Sequence, residues 1–164
     1  MVAEFFISLV QTLGYAGVFM ASLLGNASII FPLPSAIFIF IGGKFLNPLL
    51  VGIVAAVGGS IGEMTAYGLG MGGNYFAKKQ KKNKKYSEWF KRGNRWFKHH
   101  NGFLIVFVFS VIPLPHDVIG ILCGAIRYDA KKFFLATLIG RVIMYTAIAY
   151  AGFYGLGAVT NYFS

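Results

Sequence analysis

Residues 31–43 read FPLPSAIFIFIGG, and residues 112–124 read IPLPHDVIGILCG. Laid over each other, Pro32 and Pro34 fall on Pro113 and Pro115, and Gly43 falls on Gly124. A proline removes a backbone donor and clashes with the turn before it. Two prolines at i and i+2 also push the residue between them to an extended conformation. Neither stretch can therefore run as an unbroken helix, although both sit in long apolar runs. In lipid, backbone groups freed in this way need protein or a water-filled cavity around them. A helix–turn–helix that enters and leaves on the same side meets that need, so re-entrant hairpins are expected at 26–44 and 103–126.

The match extends beyond the prolines. Gly62-Glu63-xxx-Tyr67 aligns with Gly140-Arg141-xxx-Tyr145. Each half is thus a Pro-Leu-Pro segment, an apolar return and a long apolar helix carrying one charge. Transmembrane helices are expected at 46–72 and 132–158. An N-terminal one is expected at 5–24, read as retained because Met1 to Glu4 lacks the basic start of a signal peptide. A basic segment, 77–100, divides the halves.

Composition agrees with a membrane setting. The 164 residues are 57% hydrophobic and only 12% charged, against about 25% charged in typical globular chains. A soluble domain of this size exposes too much surface to manage with so few charges. Gly58, Gly62 and Ala66 follow at intervals of four, the pattern of close helix contact in lipid. The single cysteine, Cys123, allows no intrachain disulfide and reads as a buried hydrophobe.

Net charge is +10, with ten of the fifteen Lys and Arg residues between Lys78 and Lys98 and three more at Arg127, Lys131 and Lys132. Basic loops beside spans are what the positive-inside rule produces, so nucleic acid is not the expected partner. If 103–126 crossed fully, the two clusters would face opposite sides. If it re-enters, both face the cytoplasm. The hairpins then approach from opposite faces, which makes an inverted repeat with its site at the midplane. The fold class expected is an all-α integral membrane protein: an inverted repeat of two re-entrant hairpins, each followed by a transmembrane helix, plus the N-terminal helix. Tyr86, Trp89, Phe90, Trp96 and Phe97 interleave the charges of 77–100, as suits an amphipathic cytoplasmic segment on anionic headgroups.

Ionisable residues inside apolar runs are functional candidates by default. Here they are Glu63, Arg141, Asp117 and His116, with Tyr67 and Tyr145 one turn beyond the first two on the same helix faces. In the functional reading, Asp117 and Glu63 take up protons or cations such as sodium, and Arg141 and His116 hold an anionic headgroup. The alternative is a Glu63–Arg141 pair that only locks the repeats together, with His116 capping a turn. No Walker motif, HExxH, nucleophile elbow or paired metal-ligand spacing is present, so neither an enzyme, a cofactor nor a metal is expected.

The ordered spacing of a Pro-rich hairpin, G-x-x-G-E-x-x-x-Y-x-x-G from Gly59 to Gly70, and a second Pro hairpin followed by Gly124 and Phe133-Phe134 resembles the DedA family. That family is also called the SNARE-associated Golgi protein or VTT-domain superfamily, and the likeness, over about residues 20–157, is greatest to its YqaA-like branch. The resemblance implies two facing re-entrant hairpins and lipid translocation: of undecaprenyl phosphate or phospholipid in bacterial relatives, some driven by proton motive force, and by scrambling in eukaryotic ones. Where many members carry an acid after the first hairpin's proline, this chain has Ser35-Ala36. Where many carry arginines around the second proline, it has Ser110 and His116. Set against a member with all four charges, these departures favour a passive scramblase or a different substrate.

Three functions follow from the sequence. The leading one is a flippase or scramblase for a phospholipid or polyprenyl phosphate. A small-solute or ion antiporter uses the same inverted repeat. A non-transporting scaffold would grip anionic lipid through 78–98. The expected location is a prokaryotic plasma membrane, multi-pass, with 77–100 cytoplasmic, and a homo-oligomer is compatible with all three.

Overall fold

The computed structural model describes residues 2–27, 35–79, 101–112 and 116–162, with single positions 88, 92, 95 and 97. Among the described residues all regular structure is helical: α1 (Val2–Ala27), α2 (Ser35–Phe45), α3 (Pro48–Lys79), α4 (Gly102–Val111), α5 (His116–Ala125) and α6 (Ala130–Tyr162). The four prolines that suggested the hairpins, and most of 77–100, lie outside the described residues. Among the described residues two stretches are long and apolar enough to cross a membrane, Pro48–Gly73 in α3 and Ala130–Gly155 in α6.

Both long helices begin on a side-chain cap. The Asn47 Oδ1 accepts from the Leu49 and Leu50 backbone N–H groups at 3.0 and 3.3 Å, ahead of Pro48 at the first helical position. The Asp129 Oδ1 accepts from Lys132 N–H at 2.9 Å. These contacts satisfy donors that a helix start leaves unpaired, and proline at the first position gives up no bond. α5 ends in a Schellman turn: Tyr128 N–H donates to Cys123 O and Arg127 N–H to Gly124 O, with Arg127 in the left-handed region at φ 53°.

α3 and α6 lie against each other at the centre. They run antiparallel, since Gly52 meets Thr146, Glu63 meets Arg141 and Tyr67 meets Phe133. α1 packs on α3 and α4 on α6, while α2 crosses over to α6 and α5 to α3. The short helices α2 and α5 therefore each dock on the long helix of the other half.

Glycine makes these dockings close. A Cβ on Gly43 would fall on the Ala149 carbonyl, and one on Gly152 on the Phe40 carbonyl. In the other half, Gly124 lies against the Tyr67 carbonyl and Gly70 against that of Ile121. Gly58 rides on the Phe19 carbonyl as Gly140 does near that of Phe107. One interval in the chain relates Asn47 to Asp129, Gly58 to Gly140, Tyr67 to Ala149 and Gly70 to Gly152. The sequence match of Glu63 with Arg141 is one helical turn shorter. In the structural register Glu63 corresponds to Tyr145, and Arg141 to Gly59. The charges resemble each other in local sequence but do not occupy equivalent places, because caps and glycine contacts, not the G-x-xxx-Y pattern, set the register.

The N-terminal part also differs from expectation. Gly14 (φ 53°, ψ −127°) breaks α1, so residues 5–24 are not one straight helix. Residues 26 and 27 finish α1, and 26–44 holds a single described helix, α2. The arm that pairs with α2 is the part of α1 after the break. In the second half the described helices are α4 and α5, on either side of residues 113–115. α3 and α6 run on past the expected 46–72 and 132–158.

Large apolar side chains stay exposed in rows of four-residue step: Ile53, Val57 and Ile61 on α3, Leu104 and Val108 on α4 with Ile112 just past its end, Leu135, Ile139 and Ile143 on α6. Contiguous apolar surface of this kind is rare on soluble monomers. Inside, one apolar cluster joins Val18, Ile39, Val51 and Tyr145, and another joins Tyr67, Val106, Cys123 and Phe133.

Candidate functional site

Between the two apolar clusters the interior is polar. Glu63, near the middle of its span in α3, is 1% exposed, and Arg141, near the middle of its span in α6, is 5% exposed. The Arg141 Nη2 donates to Glu63 Oε2 at 2.5 Å. Its Nη1 donates to Asn26 Oδ1 at 2.5 Å and to the Tyr145 hydroxyl. Asn26, in the last turn of α1, is oriented in turn by its Nδ2 donating to Ser22 O at 2.6 Å. One guanidinium thus ties α1, α3 and α6 together, its planar fork reaching two acceptors on different helices. Gly59 makes room for it: a Cβ there would stand 3.1 Å from Arg141 Nη1 and 3.2 Å from the Tyr145 ring.

His116 opens α5 and is buried. Its Nε2 lies 3.3 Å from both Ser110 Oγ on α4 and Thr137 Oγ1 on α6, and its ring stacks on Phe133 at 6.0 Å. Asp117, half-buried in the same first turn, is where the positive end of a helix dipole favours an acid.

These groups border one cavity of about 190 Å³, lined by Asn26, Glu63, His116, Asp117, Arg141 and Tyr145, with Ser35 and Ala36 of α2 at its edge. All four helices of the docked pairs and both long helices reach it or hold a residue that does. Among the described residues, Glu63 Oε1, His116 Nδ1 and Arg141 Nε are buried without a hydrogen-bond partner. Buried polar atoms left in this state carry a desolvation cost, and here they border a space a polar ligand could fill.

Of the six residues singled out from sequence, Glu63, Asp117, Arg141, His116 and Tyr145 come together. Tyr67 does not. Its hydroxyl donates to Tyr128 O at 2.5 Å and its ring packs on Phe133 at 5.3 Å, in the apolar cluster near the α5–α6 turn. Pro32, Pro34, Pro113 and Pro115 are outside the described residues. Sequence reading missed Asn26, Thr137 and Gly59. Asn26 is a lone amide in an apolar run, which is a usable signal. Thr137 and Gly59 look like ordinary packing residues. Among the described residues no group of three or more His, Cys, Asp or Glu could hold a metal ion.

The chain is 30% identical over 146 residues to the uncharacterized protein MJ0201 of Methanocaldococcus jannaschii, covering 85% of this chain and 84% of that one. Over 61 residues it is 41% identical to the vacuole membrane protein KMS1 of Arabidopsis thaliana, covering 35% of this chain and 15% of that one. No solved structure matches it significantly. The VTT domain matches residues 33–154, from the edge of α2 to the outer part of α6, so the chain belongs to the VTT-domain, or DedA, family of membrane proteins.

Proposed function

We propose that the protein moves a lipid with an anionic headgroup, a phospholipid or a polyprenyl phosphate such as undecaprenyl phosphate, between leaflets. The observation that carries this reading is a polar cavity holding a buried Arg–Glu pair at mid-height of two membrane-length helices. A phosphate brought to the bilayer centre needs a fixed positive partner. The Arg141 fork suits it in charge and in planar donor geometry. At rest Glu63 occupies that fork, so the headgroup takes the carboxylate's place. Taking up a proton or sodium ion at Glu63, with Asp117 close by on the cavity wall, frees Arg141 for the exchange. The tails stay outside, against the exposed apolar rows.

In this reading α1–α2 and α4–α5 are re-entrant hairpins that approach from opposite faces. Both basic clusters, and so thirteen of the fifteen cations, then lie in the cytoplasm. A multi-pass plasma membrane protein fits that charge distribution, and the plant relative is likewise named as a membrane protein. A carrier is favoured over a hydrolase. Ser110 Oγ is 3.3 Å from His116 Nε2, but it donates to Val106 O at 2.7 Å, and among the described residues no acid orients the far nitrogen of the ring.

The test is transbilayer movement of a fluorescent phospholipid by purified protein in liposomes. Asp117→Ala and Arg141→Ala should each slow it at least tenfold. Undiminished movement in both variants would overturn the roles given to them. Absence of lipid movement together with radiotracer flux across sealed vesicles would replace the lipid carrier with a small-solute antiporter.

A further inference from the structure

A second cavity, of about 430 Å³, lies on the outer side of the α3–α6 contact, away from the polar site. Its walls are Met64 of α3 and Ala130, Phe134 and Leu135 of α6, and Lys131 stands at its rim. It falls within the roughly 300–1,000 Å³ of small-molecule sites. The antiparallel helices give it a direction. Lys131 lies in the first turn of α6, at the end of its span, whereas Met64 adjoins Glu63 near the centre of α3. The slot therefore runs from the membrane edge inwards.

The internal repeat supplies a comparison within the molecule. In the structural register Met64 corresponds to Thr146, Phe134 to Gly52 and Lys131 to Leu49. There the slot is closed: Gly52 sits directly on the Thr146 backbone, and Leu49 offers the rim an exposed apolar side chain. Among the described residues, the opening and the cation at its rim come together in the second half. Around it Arg127, Lys131 and Lys132 are exposed. Phe97, at the end of the basic segment, is buried at the same corner, its ring 5.3 Å from that of Tyr128. On that segment Glu88, Arg92 and Arg95 are exposed at helical spacing.

We propose that this slot is a resident-lipid site, which takes one acyl chain of an anionic phospholipid while its phosphate lies on Lys131 and the neighbouring cations. The apolar walls suit a chain and nothing polar. The rim suits a negative headgroup at the membrane surface, where each nearby Lys or Arg attracts anionic lipid. The site rests on the membrane reading of the chain but not on translocation, since it shares no lining residue with the polar cavity.

Native mass spectrometry of the full chain, released from nanodiscs of equal phosphatidylglycerol and phosphatidylcholine, tests it. The wild type should retain one phosphatidylglycerol in preference to phosphatidylcholine. Lys131→Glu should lower that preference at least fivefold, and Leu135→Trp, which fills the slot, should remove the adduct. Leu49→Lys, at the closed counterpart, should add none. An adduct unchanged by both slot variants, or a retained mass equal to a second copy of the chain, would overturn the proposal. Circular dichroism and melting of each variant separate loss of the site from loss of the fold. Fluorescent-lipid movement should persist in Lys131→Glu and fail in Arg141→Ala, so the two proposals succeed or fail separately.

Discussion

Glu63 and Arg141 face each other at 2.5 Å across the α3–α6 contact, both shut away from solvent, and they stand at places that the internal repeat does not equate. Arg141 fits because its structural counterpart is Gly59, whose missing side chain leaves the space the guanidinium fills. The pair is therefore a product of broken symmetry. A faithful repeat would put two glycines, or two arginines, at that crossing.

A buried pair is costly to break from one side. Glu63→Ala leaves the guanidinium uncompensated and should destabilise the protein by about 3–5 kcal/mol. Replacing both partners, as Glu63→Met with Arg141→Met, removes both desolvation costs and should recover most of that loss in thermal unfolding. Lipid movement should not return with it. Recovery of both together would make the pair a packing device alone.

The glycine dockings give a second prediction. Gly124→Ala puts a methyl group against the Tyr67 carbonyl, which is backbone and cannot rotate away. α5 must lift from α3, at about 1–3 kcal/mol in the manner of overpacking. At Gly72 a methyl group would meet nothing within 4 Å, so Gly72→Ala should be neutral or stabilise by up to about 1 kcal/mol. Melting temperatures that fall equally in the two variants would refute the docking.

The paired Pro-Leu-Pro segments made the two-fold organisation legible, and the intramembrane charges made most of the cavity legible. Helix existence was easy to read because apolar length alone decides it. The register was not. Gly62-Glu63 and Gly140-Arg141 look alike locally, whereas the register is fixed by contacts between distant carbonyls and glycines that no local pattern records. The role of Tyr67 failed for the same reason: one turn along α3 from Glu63, its ring meets Phe133 instead of the cavity. Gly14 was also passed over, because a glycine within an apolar run gives no sign that it will take φ 53°.

Arg127 holds a left-handed conformation that glycine adopts without strain. Arg127→Gly should therefore stabilise the α5–α6 corner by about 1 kcal/mol, within the roughly 1–2 kcal/mol usual for an L-residue there. It should at the same time reduce binding to anionic vesicles, since it removes one exposed cation. A lower melting temperature would mean that the Arg127 side chain makes a stabilising contact outweighing the strain.

Asp129 gives a pH dependence with a fixed sign. The Lys132 backbone N–H donating to its carboxylate holds its pKa below the ordinary 3.8, with the Lys131 N–H and the two lysine charges acting the same way. The folded state thus binds this proton less readily than the unfolded one. Its contribution is fully present above 3.8 and fades as pH falls through the lower folded value. Asp129→Asn keeps an oxygen for the cap and cannot titrate. The melting temperature of wild type minus that of the Asn variant should hold steady from about pH 7 to about 5 and drop below about pH 4. A flat difference throughout would remove the cap from the account of acid stability.

The two tyrosines separate support from function. The Tyr67 hydroxyl serves a backbone carbonyl in the turn before α6, and the Tyr145 hydroxyl serves Arg141 at the cavity wall. Tyr67→Phe deletes one hydrogen bond and should cost about 0.5–1.5 kcal/mol of stability, with lipid movement per folded molecule unchanged. Tyr145→Phe loosens the guanidinium without emptying the site. Stability should change by a similar amount, while lipid movement should fall several-fold, because the fork must present itself to the headgroup in one orientation. Measured side by side in liposomes and by melting, the variants share a chemical change and differ in whether the lost hydroxyl served the Tyr128 carbonyl or Arg141. Equal transport in both would place the working surface somewhere other than the Arg141 cavity.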